Sequence, residues 1–127
     1  MGAAARERAL LVYQSLQEPH TFVTRTVPAK DEKGIVFHDI YTGKKLPFGR
    51  YPQMRGFKLI IAEHTHPIPV RRLSGTTAYR GPSNLDVVMS KLHPDVHFLI
   101  KSVYSNDVVA GSHDEIYYYG RDVRASR

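Results

Sequence analysis

Apolar residues in the first twenty positions recur at helical spacing. Ala5, Ala9, Val12, Tyr13 and Leu16 stand at i, i+4, i+7, i+8 and i+11, with Arg6, Gln14 and Gln17 off that stripe. The pattern predicts a helix over residues 3–17, ended by Pro19. From Thr21 the texture changes to β-branched and aromatic residues. Residues 21–27 read as a strand stopped by Pro28, residues 31–34 as a turn and residues 35–41 as a second strand, the two strands forming a hairpin. Residues 43–56 carry three Gly, two Pro, four basic residues and two aromatics with no periodicity, which predicts a long basic loop.

Regular elements resume at Phe57. Residues 57–63 alternate as a strand, and residues 64–69 (HTHPIP) break it. Short strands are predicted over 70–73 and 76–80. Ser83 or Asn84 caps a short helix over 85–92 whose stripe is Leu85, Val88, Met89 and Leu92. Residues 96–104 (VHFLIKSVY) form the strongest strand pattern of the chain, and residues 108–110 and 115–119 are further strands. Strict strand–helix alternation is absent. The fold class expected is therefore α+β: an N-terminal helix and one short helix packed on a mainly antiparallel sheet, with long irregular loops. Its core would draw on Val12, Leu16, Val23, Phe37, Leu59, Ile61, Leu85, Met89, Phe98 and Ile100.

Composition narrows this picture. The 127 residues suit one domain, expected over 1–120 and followed by a basic tail at 121–127. A 42% apolar share argues against disorder, and no apolar run has the length of a membrane helix, so no membrane span is expected. The absence of Cys excludes a disulfide scaffold, a thiolate metal cluster and a Cys nucleophile. With no secretory h-region, an intracellular, not secreted, protein is expected, cytoplasmic or mitochondrial; Arg6 and Arg8 between alanines resemble a mitochondrial presequence.

Charge changes the picture most. Residues 44–80 hold eight basic side chains against Glu63 alone, whereas the flanking thirds are nearly balanced, so the net +6 resides in the middle of the chain. Phe48, Tyr51, Phe57 and Tyr79 interleave with those cations. Cations beside aromatics suit an acidic protein surface, where Arg and Tyr serve as anchors. They also suit RNA, where cations neutralise phosphates and rings stack on bases.

Catalytic parts are scarce. His64 and His66 alternate on an extended segment and would share a metal ion if His97 or His113 supplied a third ligand. The neighbouring Arg71 and Arg72 oppose a bound cation, and no metal or other cofactor is expected. Residues 112–115 (SHDE) collect triad types in sequence, but a triad needs convergence in space. No Walker-type loop, G-x-S-x-G or G-x-G-x-x-G occurs. The sequence therefore predicts a non-enzymatic accessory subunit of a large multi-protein assembly. It would attach to an acidic surface on other subunits through Lys44, Lys45, Phe48, Arg50, Tyr51, Arg55, Arg71 and Arg72, with the tail assisting. The second expectation is an RNA-binding component of a ribonucleoprotein particle such as a mitochondrial ribosome, using the same residues. A His-dependent metal-binding enzyme is the third.

Overall fold

A computed structural model describes residues 8–29, 35–68, 84–104 and 115–119. Five strands and one helix are ordered along the chain as β1 (Arg8–Ser15), β2 (Phe22–Pro28), β3 (Phe57–Ile68), α1 (Asn84–Leu92), β4 (His97–Tyr104) and β5 (Glu115–Tyr118). The strands form one sheet in the order β2-β1-β3-β4-β5. Three of its four neighbouring pairs are antiparallel, and β3 and β4 are parallel. The mainly antiparallel, sheet-rich architecture agrees with expectation, as does the short helix expected over 85–92, which is α1; the N-terminal helix does not.

The largest correction lies at the start. Residues 8–15 are a strand inside the sheet, not part of a helix, and the predicted residues 3–7 lie outside the described residues. Ala9, Leu11, Tyr13 and Ser15 alternate inward, while Leu10, Val12 and Gln14 point to the other face. The run Leu10-Leu11-Val12 makes both faces of the strand apolar. Hydrogen bonding to β2 on one edge and β3 on the other settles the local ambiguity. Leu16, expected in the core, is 62% exposed because the strand ends before it.

Two further expectations are revised. The hairpin between 21–27 and 35–41 does not form; β2 pairs with β1, and residues 35–41 hold only an isolated bridge, His38 to Lys45. The break expected at 64–69 is also absent, since β3 continues to Ile68 and pairs residue for residue with β4 from Ile61↔His97 to Ile68↔Tyr104. Two parallel strands need a crossover, and the segment carrying α1 supplies it. A β-bulge interrupts β3 where Val12↔Ile61 is followed by Tyr13↔Leu59, leaving Ile60 without a register partner. The strands expected at 70–73, 76–80 and 108–110, the turn at 31–34 and the tail at 121–127 lie outside the described residues.

One face of the sheet is the core. Leu11 and Tyr13 on β1, Ala62 on β3, and Phe98 and Ile100 on β4 are buried together with Val96 and Tyr119. Phe98 and Ile100 are the residues of the expected core that are fully buried; Val12, Val23, Phe37, Leu59, Ile61 and Met89 are half-buried. The cover over this face is the irregular segment 35–56 together with α1, which contribute Phe37, Tyr51, Met54 and Met89. Tyr51 is its centre: its ring lies 4.9 Å from Phe37, 5.1 Å from His93 and 6.1 Å from Phe98. Below it the buried Tyr13 hydroxyl donates to the Pro52 carbonyl at 2.6 Å, and the Leu16 amide donates to the Gly56 carbonyl at 2.8 Å. These bonds fix the loop to β1.

Burial pushes the Tyr13 phenol up to about 12, with Arg25 opposing the shift, and raises Tyr51 and Tyr119 as well. A phenol whose folded pKa exceeds its unfolded value stabilises the fold fully below about pH 10 and loses that contribution as pH rises through the folded value. Urea denaturation across pH 8–12 is therefore expected to show stability falling above about pH 10. Tyr13→Phe, which leaves the Pro52 carbonyl without its donor, is expected to cost roughly 1–2 kcal/mol at pH 7 and to flatten part of the alkaline fall.

Candidate functional site

On the core side of the sheet, the cover leaves a groove of about 620 Å³ between segment 35–51 and α1. Its floor is Ala9, Leu11 and Ala62. Leu11 and Ala62 are register partners and Ala9 follows on the same face of β1, so two methyl side chains stand where larger ones would fill the space. Phe37, Leu46 and Phe48 form one wall, and Leu85, Asp86 and Met89 of α1 the other.

The basic wall is shaped by local hydrogen bonding. Asp39 accepts from the amides of Tyr41 and Thr42 at 3.0 and 2.7 Å, which closes a turn and holds its carboxyl below the usual carboxylate range. The Leu46 amide bonds the Phe37 carbonyl and the Asp39 amide bonds the Lys44 carbonyl, so residues 37–46 double back as a short irregular arm. Lys45 and Arg50 emerge from that arm and the following turn onto the groove rim. Phe48 lies between them, 68% exposed.

The eight residues predicted as contacts thus divide. Lys45, Phe48 and Arg50 come together at the groove as exposed side chains. Tyr51 reaches the same groove but serves as the aromatic centre of the cover, and burial together with the nearby Asp86 carboxylate raises its pKa. Lys44 is exposed on the arm but does not line the groove. Arg55 stacks over the Tyr41 ring at 4.3 Å, its backbone amide donates to the Tyr41 hydroxyl at 2.8 Å, and it does not line the groove. Arg71 and Arg72 lie outside the described residues.

Two polar contacts escaped the sequence reading. His64 Nε2 lies 3.1 Å from Asp86 Oδ1, joining β3 to the first turn of α1 at the groove, with both side chains largely buried. Nothing in the spacing of residues 64 and 86 announces this pair, because it depends on the parallel crossover. At the other end of α1, His93 Nε2 lies 2.7 Å from the Gly49 carbonyl, which ties the basic loop to the helix terminus.

His97 does not stand as a third ligand for a metal ion that His64 and His66 would share. His97 is the register partner of Ile61 and projects from the sheet face opposite the one bearing Ala62 and His64; its Nδ1 lies 2.8 Å from the Tyr118 hydroxyl. Among the described residues no group of three or more His, Cys, Asp or Glu is placed to hold a metal ion. His113 lies outside them. Nor is any helix of the described residues long and apolar enough to cross a membrane.

Gly49 shows how tightly loop and helix meet. Its φ is +93°, and a Cβ placed there would stand 3.1 Å from Leu92 Cδ1. Gly49→Ala is expected to lower stability by roughly 1–2 kcal/mol, read as a fall in thermal midpoint, through backbone strain as well as crowding. Compared with models of known protein families, with curated proteins and with solved structures, the chain matches none of them.

Proposed function

We propose that this chain is a non-enzymatic accessory subunit of a larger intracellular assembly, cytoplasmic or mitochondrial, which it joins by taking an acidic, apolar segment of another subunit into the groove. The observation that carries this reading is the juxtaposition of Phe48, Lys45 and Arg50 at the mouth of an apolar trough. Neither Lys45 nor Arg50 makes an ion pair among the described residues. An acidic segment would supply both counter-charges while its apolar side chains cover Phe48 and Leu85.

RNA is the second reading, and the disposition of the rings weighs against it. Base stacking needs open aromatic faces. Tyr51 is enclosed among Phe37, His93 and Phe98, and the Tyr41 face is occupied by Arg55. Phe48 remains as the exposed ring of the groove.

The test is affinity purification of the tagged chain with and without nuclease, beside a Lys45→Glu/Arg50→Glu double variant. Partner proteins are expected to survive nuclease treatment and to be lost from the double variant. Recovery of RNA in place of protein, with affinity falling about a thousandfold between 50 and 200 mM salt, would transfer the site to phosphate recognition.

A further inference from the structure

The helix α1 is turned the unexpected way round. Its apolar stripe was expected to face the core, yet Leu85, Val88 and Leu92 are 63%, 44% and 54% exposed. At about 100° per residue these three fall within roughly 60° of the helix circumference. Ser90, almost opposite them, is the buried residue of the helix. Its hydroxyl donates to the Val87 carbonyl at 2.7 Å, so burial leaves no polar group unsatisfied. Asp86 and Met89 also turn inward, toward His64 and the core cluster. The helix therefore docks through Asp86, Met89 and Ser90 and displays Leu85, Val88 and Leu92.

This displayed stripe is continuous with the groove. Leu85 lines the groove opposite Phe48, and Leu92 reaches Gly49, the residue after Phe48. The exposed charges at the groove mouth and beside the stripe, Lys45, Arg50 and Lys91, are positive, while the acidic Glu63 and Asp86 lie half-buried in the groove lining and Asp95 is exposed beyond the helix end. Lys91 is exposed beside Leu92, Lys45 and Arg50 stand across the groove, and Asp86, the acidic residue of the helix, is taken up by His64.

We infer that Leu85, Val88, Leu92 and Phe48 form the seat of an amphipathic helix of the partner subunit, its apolar stripe laid along α1 and its flanks acidic. The inference rests on the groove being a protein-docking site and names the occupant. Apolar side chains spaced i, i+3 and i+7 are the pattern by which one helix receives another. The three exposed cations select against a second copy of the same surface, which would bring Lys45, Arg50 and Lys91 toward their own counterparts. The trough beside the stripe gives side chains a depression to enter, a feature a flat lipid surface does not use.

The probe is a synthetic amphipathic peptide of about four helical turns with leucines at i, i+3 and i+7 and flanking glutamates, titrated into the full chain by fluorescence anisotropy. Binding is expected, with helix induction in the peptide and weakening by added salt. Val88→Glu and Leu92→Asp are each expected to weaken it by about tenfold or more. Both positions face solvent, so circular dichroism of the variants should match the parent. Ile116→Asp, exposed on the opposite face of the sheet, should leave binding unchanged. Equal binding of a peptide with lysines in place of the glutamates would overturn the inference. So would adsorption to phosphatidylserine vesicles without peptide binding, or a dimer of the chain that Leu92→Asp dissociates. If the Lys45→Glu/Arg50→Glu variant loses its partners while Val88→Glu and Leu92→Asp retain them, the groove reading stands and the helical occupant falls.

Discussion

Among the described residues, a five-stranded sheet carries one helix of nine residues, which covers only part of the apolar core face. Everything else follows from this shortage. Leu11, Tyr13, Phe98 and Ile100 need cover, and the segment between β2 and β3 provides most of it, although it has almost no regular structure. An irregular segment can serve only if its backbone groups are satisfied and its side chains are large. Tyr51, Phe37 and Met54 meet the second condition. The bonds from Tyr13 to Pro52, from Leu16 to Gly56 and from Gly49 to His93 contribute to the first. The basic residues of the same segment are thereby held in place on a packed support, which turns a charged loop into a surface of fixed shape.

The cover is also incomplete, and where it fails the groove opens. Ala9 and Ala62 do not fill the space that segment 35–51 and α1 leave between them. The His64–Asp86 pair bridges floor and helix at that point, the His93 ring meets the Gly49 carbonyl at the helix end and Met89 packs on the core cluster, so α1 is held through this side while Leu85, Val88 and Leu92 stay outward.

Legibility in the sequence tracked how many structures each local pattern permits. The β4 run could be little else, since its length and β-branched content exclude a helix, and Phe98 and Ile100 emerged as core. Residues 8–15 satisfied two periods at once: Ala9 and Tyr13 belong to the helical stripe and to the strand alternation alike, and only pairing with β2 and β3 decides between them. The prolines at 67 and 69 suggested an end to β3 that the parallel ladder overrides through Ile68. At the groove, Lys45, Phe48 and Arg50 were visible because charge and aromatic content are properties of composition. Asp86 was not, because its position against His64 is a property of topology. For α1, periodicity located the helix and its stripe correctly but carried no information about which way the stripe would face.

The pairing of β1 with β3 has a kinetic consequence. Residues 16–56 separate the two strands, so the central ladder of the sheet forms only after a long stretch of chain has been closed into a loop. The parallel β3–β4 ladder adds a second closure over the crossover. Beyond the β1–β2 hairpin, these ladders join strands far apart in the chain, and such topologies fold slowly, toward the millisecond-to-second regime of non-local sheets. During that search the Leu10-Leu11-Val12 run stands unsheltered, a strand-forming stretch with adhesive character on both faces, which makes the nascent chain the stage at which misassociation is most costly.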